Sequence, residues 1–254
     1  MSTYTAIITG ASRGFGKSLA AAVSSKHPTS TIYLLSRPSP HHTATCSELS
    51  STHTSGKVIK VDIDFNDPST YIEVFNSTLS KIPVPSSGDE ERLPPTSKIV
   101  LYNNHGTLTS LTPSPPISQI PLDINLNLTS CLTLSTLFST RYPTSTIVNV
   151  SSLAAIKPFG TWSIYCAGKA GRDMFHDCLS LSHPSLKTLN YAPGAMDTDM
   201  QSHIREAESD KDMKVAFIKM KDEGSLVDPY ESAVKCVRLV EEGKEGHVDY
   251  WDEV

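Results

Sequence analysis

The sequence has few cysteines and no arrangement of them that suits a metal site or a disulfide framework. Five are present, an odd number, and none belongs to a Cys-x-x-C pair. None stands at zinc-ligand spacing from a histidine either. They lie far apart, at positions 46, 131, 166, 178 and 236. We therefore expect no bound metal and a protein of the reducing cytoplasm.

The sequence also lacks a cluster of basic residues and a long apolar run. Lys and Arg number 22 against 27 Asp and Glu, so the formal net charge is -5. Nucleic acids are bound through their phosphates by clustered cations, and no such partner is expected here. No stretch approaches the roughly 18 apolar residues of a membrane helix, so no membrane partner is expected either.

Apolar residues are nevertheless sufficient for one large core. The 254 residues are 38% hydrophobic and 19% charged, which excludes global disorder. Short β-branched runs alternate with helical segments. The predicted strands are 4–9, 31–36, 57–61, 98–102, 145–150 and 186–190. This alternation predicts a single α/β domain over residues 1–254, with a Rossmann-type, doubly wound and mainly parallel sheet that has helices on both faces.

Three segments depart from the alternation. Residues 38–56 are rich in Ser, Thr and His, and they predict at most a short, weak helix. Residues 82–97 carry four prolines around a polar stretch and predict a surface insertion. Residues 113–121 are again rich in proline and predict a connection to a helix that begins near Leu122.

A glycine turn joins the first predicted strand to the first helix. Glycine reaches backbone angles that other residues avoid, lets a pyrophosphate approach the main chain and leaves free N–H groups at a helix N-terminus. Alone, such a turn is equally well a structural feature, but its place between strand and helix favours a dinucleotide site. The residues expected to contact the cofactor are Gly10, Ser12, Arg13, Gly14, Phe15 and Gly16.

The residues after the second predicted strand favour NADP(H) over NAD(H). An acidic residue about 20 positions past the last glycine is typical of NAD sites, where it binds the ribose 2′-hydroxyl. Ser36 and then Arg37 occupy that place here. Together with Arg13, Arg37 offers charge-assisted hydrogen bonds to a 2′-phosphate. The alternative is that both arginines are solvated surface residues.

A serine, a tyrosine and a lysine in the second half suit the reduction of a carbonyl group. Tyr165 and Lys169 are four residues apart on a predicted helix, so they share one face. A neighbouring ammonium lowers the pKa of a tyrosine from about 10, which makes Tyr165 a usable proton donor. A hydroxyl of the Ser151–Ser152 pair would hold the carbonyl oxygen while hydride arrives from a nicotinamide.

With these motifs in order along the chain, the sequence resembles the short-chain dehydrogenase/reductase family. That family carries a Thr-Gly-x-x-x-Gly-x-Gly turn, an Asn-Asn-Ala-Gly after the fourth strand, a Ser, and Tyr-x-x-x-Lys. The resemblance implies that Ser152 is the catalytic serine, because it stands thirteen residues before the tyrosine. It also implies that Asn127, with Asn125 as the alternative, completes a catalytic tetrad, and that the protein is a homodimer. Further cofactor contacts are implied for Asp62, Ile63, Asn104, Gly106, Tyr165, Lys169, Pro193, Gly194 and Thr198.

One residue departs from the family pattern. His105 stands where Asn-Asn-Ala-Gly has a small alanine. We expect a packed, hydrogen-bonded histidine at this position, with a catalytic histidine as the alternative.

The second half is similar to a narrower branch of the family, NADPH-dependent reductases of side-chain ketones on pterins. Residues 149–153, 157–162, 165–174, 190–200 and 247–252 carry this similarity. It implies that Asp249 anchors the aminopyrimidine edge of a pterin through two parallel hydrogen bonds. Phe159, Trp162 and Met200 would wall a slot for the flat ring, beside Ser152 and Tyr165. A solvated Asp249 and an ordinary core cluster are the alternatives.

The predicted function is therefore the NADPH-dependent reduction of a small-molecule carbonyl, with a pterin as the favoured substrate. A broad aldehyde or diketone reductase of the same fold is the first alternative. The second is a non-enzymatic NADP-binding regulatory protein, which would typically have lost Tyr165 or Lys169.

Overall fold

Seven parallel strands form one sheet in the computed structural model, which describes residues 3–84 and 97–252. They are β1 (Tyr4–Thr9), β2 (Thr31–Ser36), β3 (Lys57–Asp62), β4 (Lys98–Asn103), β5 (Thr146–Val150), β6 (Lys187–Ala192) and β7 (Gly246–Asp249). Their order is β3-β2-β1-β4-β5-β6-β7. The order reverses between β1 and β4, and ligands of such sheets bind in the crevice at the carboxyl ends of these strands. The predicted Rossmann-type fold is confirmed.

Helices cover both faces of the sheet. The described α-helices are α1 (Gly14–Lys26), α2 (Pro40–Thr52), α3 (Pro68–Ser80), α4 (Gln119–Ile124), α5 (Ser130–Arg141), α6 (Ser163–Ser182), α7 (Asp199–Ala207), α8 (Lys211–Asp222) and α9 (Pro229–Glu242). One buried apolar cluster includes Leu19 of α1 and Val237 of α9, and a second includes Phe75 of α3 and Phe138 of α5. Within the described ranges, none of these helices is long and apolar enough to cross a bilayer.

The polar segment 38–56 contains a full helix, which corrects the prediction of a short, weak one. Ser39 is the N-cap of α2 and its Oγ accepts a hydrogen bond from the His42 N–H at 3.1 Å, while Pro40 takes the first helical position. Both are favourable start signals. Cys46 and Leu49 lie in the apolar cluster with α1 and α9. Tertiary packing therefore stabilises a helix whose composition is unfavourable.

The predicted insertion at 82–97 falls largely outside the described residues, which omit 85–96. Its first residue, Ile82, is only 1% exposed, and its carbonyl oxygen accepts a hydrogen bond from Tyr142 Oη at 2.9 Å. Ile82 therefore belongs to the core and not to a surface insertion.

A π-helical turn, Asn125–Thr129, interrupts the helix that follows β4, between α4 and α5. π turns are frequent at functional sites because they shift one residue out of the regular helical face. Asn127 of this turn is buried. Its Oδ1 accepts from the Thr107 N–H at 2.8 Å and its Nδ2 donates to the Thr107 carbonyl at 2.9 Å. The π-helical turn thus binds the backbone N–H and the backbone carbonyl of Thr107, in the loop after β4.

Candidate active site

The glycine turn lies between β1 and α1 and takes the backbone conformation that glycine permits. Gly10 and Gly14 have positive φ angles of 65° and 53°. A Cβ added to Gly16 would lie 2.3 Å from the Gly10 carbonyl oxygen. The Phe15 side chain is buried and stacks on Tyr191 at 6.1 Å between ring centroids, so Phe15 offers only its backbone to a ligand.

The first turn of α1 keeps its N–H groups free of a side-chain cap. The N-cap residue, Arg13, makes no side-chain capping hydrogen bond. Side chains do cap α2, α3, α8 and α9, through Ser39, Asp67, Asp210 and Asp228. Free N–H groups at the positive end of a helix dipole bind anions. The turn therefore fits the pyrophosphate of a dinucleotide.

Asn104 and His105 tie the end of β4 to this turn. Asn104 Nδ2 donates to the Thr9 carbonyl at 2.9 Å. The His105 ring is hydrogen-bonded to Thr9 Oγ1 at 2.9 Å and to Ser130 Oγ at 2.8 Å, and it stacks on Phe65 at 4.0 Å. Burial lowers the pKa of His105 well below 6.5, so the ring is neutral at pH 7. It is the packed, hydrogen-bonded histidine that we expected.

The two arginines predicted to select the cofactor lie at neighbouring strand ends. The Ala11 N–H donates to the Leu35 carbonyl at 3.3 Å, which places the glycine turn beside the end of β2. Arg13 pairs with Asp199 at 2.9 Å, with both side chains mostly exposed. Such a pair contributes little stability, so Arg13 can exchange its partner for a ligand. Arg37 is exposed and makes no ion pair within the part of the chain that the structure describes.

The loop after β3 closes the same edge. The Ile63 N–H donates to the Ser36 carbonyl at 2.9 Å. Asp62 is hydrogen-bonded to Lys60 Nζ at 2.7 Å and to His42 Nδ1 at 3.1 Å, and these contacts, the Lys60 hydrogen bond first, lower the pKa of its carboxyl. Asp62 is therefore a fixed anion at this edge.

Ser152, Tyr165 and Lys169 meet at the carboxyl end of β5. Ser152 follows the strand, and Tyr165 and Lys169 lie in the first two turns of α6. Ser152 Oγ accepts from the Ala154 N–H at 3.1 Å, and its hydroxyl lies close enough to Tyr165 to lower the pKa of the phenol. Lys169 Nζ stands 5.5 Å from the centroid of the Tyr165 ring and donates to the Val150 carbonyl at 2.6 Å. The side chains of these three residues therefore lie together at the carboxyl end of β5.

The pKa of Tyr165 lies above 10 in this structure, which corrects the expectation that it is lowered. Burial raises it, and the Ser152 hydrogen bond and the charge of Arg172 only oppose that rise. Burial also lowers the pKa of Lys169 well below 10.5. The ammonium that should stabilise a phenolate is itself disfavoured by its loss of water.

Asn127 lies beside Lys169, and no hydrogen bond joins these two side chains in the described part of the chain. A Cβ added to Gly106 would lie 3.0 Å from Asn127 Oδ1 and 4.0 Å from Lys169 Nζ, so both groups border the Gly106 backbone. Asn125, the alternative, donates instead to the carbonyls of Phe65 and Asn66 at 3.2 and 3.1 Å. Of the two asparagines, Asn127 is the one beside Lys169, and the catalytic role that the family resemblance implies for it stays a prediction.

Two charged residues that we did not expect from the sequence are buried under this group. Arg172 is 0% exposed, and Asp173 accepts from Ser151 Oγ at 2.7 Å and is hydrogen-bonded to His247 Nδ1 at 2.8 Å. Ser151 is thus a structural neighbour of Ser152, as expected. Arg172 follows Lys169 by three residues, a spacing that places both on one helix face and was the available signal.

The aromatic residues predicted for the substrate slot share one cluster. The Phe159 ring stacks on Trp162 at 4.6 Å, and Trp162 stacks on Phe217 at 5.7 Å. Trp162 Nε1 donates to Glu208 Oε2 at 2.7 Å. Trp162 is therefore a core residue, whereas Phe159, Met200 and Tyr165 pack against the cluster and are only partly buried.

The segment after β6 reaches both the glycine turn and the end of β7. A Cβ added to Gly14 would lie 3.7 Å from Thr198 Cγ2, and one added to Gly194 would lie 3.7 Å from Trp251 Nε1. The Pro193 carbonyl accepts from Ser232 Oγ at 2.9 Å. This segment therefore spans the crevice from one side to the other.

Asp249 ends β7 in register with Ala192 of β6, at the edge of the sheet where the other site residues lie. Its Oδ1 accepts from the Trp251 N–H at 3.2 Å, and its own N–H donates to Asp252 Oδ2 at 2.7 Å. One of its two carboxylate oxygens accepts no hydrogen bond within the described ranges. A local turn thus fixes Asp249 and leaves one carboxylate oxygen able to accept a hydrogen bond from a ligand.

A buried histidine below the site predicts acid-sensitive stability. His176 is hydrogen-bonded to Ser135 Oγ at 2.9 Å and to the Arg172 carbonyl at 2.7 Å, and burial lowers its pKa from 6.5 to about 4. The pKa of His176 is near 6.5 in the unfolded chain and about 4 in the folded chain, so the unfolded state gains a proton first as the pH falls. The folded state therefore has its full stability above pH 6.5 and loses stability as the pH falls toward 4.

We expect the free energy of unfolding to fall by on the order of 3 kcal/mol more in the wild type than in His176→Gln between pH 7 and 4. Urea unfolding at several pH values measures this difference. The exposed His183, changed to Gln, is the matched control and should keep the wild-type slope. Parallel slopes for the wild type and His176→Gln would contradict the prediction.

The chain matches known proteins over nearly its whole length. A family model described as short chain dehydrogenase matches residues 4–209. The chain is 37% identical over 265 residues to sepiapterin reductase of Rattus norvegicus, covering 97% of this chain and 95% of that protein. It is 31% identical over 251 residues to the (S)-benzoin-forming benzil reductase of Bacillus subtilis, covering 94% of each.

Solved structures show the same fold. The KRED1-Pglu enzyme superposes with a TM-score of 0.81 at 22% identity, over 96% of this chain and 100% of that one. A short-chain dehydrogenase from Sphingobium yanoikuyae in complex with NADPH superposes with a TM-score of 0.74 at 20% identity, over 98% and 89%. The chain therefore belongs to the short-chain dehydrogenase/reductase family and is a nicotinamide-dependent oxidoreductase of carbonyl or CH–OH groups, similar in sequence to sepiapterin reductase.

Proposed function

We propose that this protein reduces the side-chain ketone of a pterin with NADPH, the reaction of a sepiapterin reductase in tetrahydrobiopterin synthesis. The position of Asp249 carries the proposal. Its carboxylate ends β7 at the sheet edge that holds the catalytic group, and the turn after it contacts the segment around Gly194. A carboxylate accepts two parallel hydrogen bonds from an aminopyrimidine, which is the edge that a pterin presents.

In this proposal Tyr165 is the proton donor and Ser152 holds the substrate. The nicotinamide of a bound cofactor supplies the hydride. The Ser152 hydroxyl, which lies near Tyr165, donates its one proton to the carbonyl oxygen of the substrate. Tyr165 Oη then gives its proton to that oxygen as negative charge develops there. A phenol with a raised pKa stays protonated until this moment, as a donor must.

Lys169 and Asn127 support the donor. Lys169 remains beside the Tyr165 ring because its Nζ is held by the Val150 carbonyl. Asn127 binds Thr107 through both ends of its side-chain amide, and the loop it fixes includes Gly106, which borders Lys169 Nζ. Asn127 therefore acts through the loop backbone that packs against the lysine.

The proposal includes a preference for NADPH, and Arg37 tests it. Arg37→Asp removes a cation and adds an anion where the 2′-phosphate would lie, so the ratio of kcat/KM for NADPH to that for NADH should fall by about tenfold or more. Steady-state kinetics with both cofactors give the ratio. Lys26→Asp makes the same charge change at the far end of α1 and is the matched control. An unchanged ratio in Arg37→Asp would remove Arg37 from the cofactor site.

A diketone reductase is the second candidate function. The partly buried Phe159 and Met200, which pack with Tyr165 on the Trp162 cluster, also suit a diaryl diketone, and the chain is 31% identical to a benzil reductase. We expect kcat/KM with NADPH to be at least tenfold higher for sepiapterin than for benzil. A higher value for benzil would make the diketone reductase the correct function.

We further infer that the protein is a homodimer paired through α6. This helix exposes Met174 and Leu181 at 64% and 83%, on a face that also carries Ala167 and Ala170. Large exposed apolar side chains on one face mark an interaction surface. Sedimentation velocity of the wild type should show a dimer, and Met174→Lys should shift it toward the monomer.

A further inference from the structure

Arg172 is a buried cation that has no part in the proposed reaction as described above. It is the largest fully buried side chain among the described residues, and it lies on α6 three residues after Lys169. Its Nε donates to Asn149 Oδ1 at 2.7 Å, its Nη1 donates to the His105 carbonyl at 2.9 Å, and its Nη2 donates to the Asn103 carbonyl. These acceptors lie at the carboxyl ends of β4 and β5, directly beneath the site.

All three acceptors are uncharged, and no carboxylate contacts the guanidinium in the described ranges. The charge of Arg172 is balanced at one remove, because Asn149 Nδ2 donates to Asp173 Oδ1 at 2.8 Å. Burying a cation without a directly paired anion is unfavourable, so the neutral acceptors around Arg172 must hold its charge beneath the site. Hydrogen bonds from all three guanidinium nitrogens also fix the orientation of the group.

Arg172 and Lys169 are close neighbours. A Cβ added to Gly106 would lie 3.9 Å from Arg172 Nη1 and 4.0 Å from Lys169 Nζ, so the two nitrogens are separated by no more than the sum of these distances. The charged and titratable groups that act on Tyr165 or Lys169 are Arg172 and Asp173 of α6, Cys166 beside the tyrosine, and Cys131 of α5. Arg172 is the one permanent cation among them, and His105 between β4 and α4 is neutral.

We propose that Arg172 is a positioning residue of the active site, a fixed buried cation whose field controls when Tyr165 and Lys169 release their protons. The field of Arg172 acts in the same direction on both groups, since a positive charge makes loss of a proton from either one easier. Tyr165 is thereby made a stronger acid by a cation that does not itself titrate. This inference rests on the proposed use of Tyr165 in carbonyl reduction.

The pH profile of the reaction tests the proposal. Reduction needs a protonated donor, so kcat/KM falls on the alkaline side. Arg172→Gln removes the charge and should move this alkaline limb upward by about one pH unit. Arg172→Lys keeps a charge but loses the three-way hydrogen bonding, so it should lower kcat while leaving the limb near its wild-type position. A limb that stays in place in a folded Arg172→Gln protein would overturn the proposal.

Asp173→Asn provides a test that does not depend on the folding of Arg172→Gln. It removes the anion that balances Arg172 through Asn149, so the cation acts more strongly on Tyr165 and the alkaline limb should move downward, opposite to the Arg172→Gln shift. A merely structural role for this network predicts no such pair of opposite shifts. An unmoved limb in Asp173→Asn, or one that moves upward, would also count against the proposal.

A measurement without turnover separates this proposal from the proposed function. Ultraviolet difference titration reports the Tyr165 phenolate when the signal of Tyr165→Phe is subtracted. The same difference titration is then measured in Arg172→Gln or, if that variant does not fold, in Asp173→Asn. The pH at which Tyr165 titrates should move in the same direction as the alkaline limb of the kinetic profile. If the wild type reduces neither sepiapterin nor benzil, the proposed function fails, while a shifted Tyr165 titration still supports the role of Arg172. An unshifted titration would overturn it.

Discussion

Tyr165→Phe is expected to lower kcat for carbonyl reduction by on the order of 10²- to 10⁴-fold, with little change in the Kd of the cofactor. The substitution removes the phenolic oxygen near Ser152 and leaves the ring packed against the Trp162 cluster. The reducing equivalent would still arrive, but the developing alkoxide would have no proton donor at hydrogen-bond distance. Stopped-flow reduction and fluorescence titration of the cofactor measure the two quantities.

Tyr230→Phe is the matched control for this experiment. Tyr230 is exposed in the first turn of α9, so loss of its hydroxyl should leave kcat unchanged. Circular dichroism should show that both variants keep the wild-type fold. If Tyr165→Phe retained more than a small fraction of kcat, the proton would have to come from another group, and the assignment of Tyr165 would be wrong.

Asp249→Asn is expected to lower kcat/KM for sepiapterin by about thirtyfold or more, which corresponds to roughly 2 kcal/mol of lost binding to the transition state. The value of kcat/KM for a small diketone should stay almost unchanged. The carboxylate presents acceptors only, whereas an amide presents a donor to the N–H groups of the aminopyrimidine. The loss is therefore specific to a substrate long enough to reach the end of β7. Kinetics with sepiapterin and diacetyl on both proteins measure the difference.

Asp252→Asn is the matched control for Asp249→Asn. Asp252 belongs to the same turn, and its Oδ2 accepts from the Asp249 N–H, a contact that an asparagine oxygen preserves. This variant should leave both substrates unaffected. Equal losses on both substrates in Asp249→Asn would assign it a folding role. No loss on either would return Asp249 to the solvated surface and favour the diketone reductase.

The strands and the glycine turn were predictable because local sequence determines them. A buried parallel strand reads as a short β-branched run, and the residues 4–9 and 31–36 coincide with β1 and β2. Glycines at 10 and 14 are required by positive φ angles that few other residues adopt. The helix at 40–52 was not predictable from composition, because Cys46 and Leu49 stabilise it through contacts distant in sequence.

The candidate tetrad was predictable only as a set of residue types at a given spacing. Tyr165 and Lys169 lie on one helix face because any helix places residues four apart side by side. The π turn that brings Asn127 to Thr107 leaves no comparable sequence pattern. Its position depends on how α4 and α5 pack beside the loop after β4.

Residue identity and spacing specify which groups are present and in what order: a glycine turn, a pair of arginines, a serine, a tyrosine and a lysine. Their electrostatics are set by the folded chain. Burial raises the pKa of Tyr165 and lowers that of Lys169, and it places the cation of Arg172 beneath them. The pKa of a buried group depends on the water it loses and on the charges around it, and both are set by residues of β4, β5 and α6 that meet only in the folded chain.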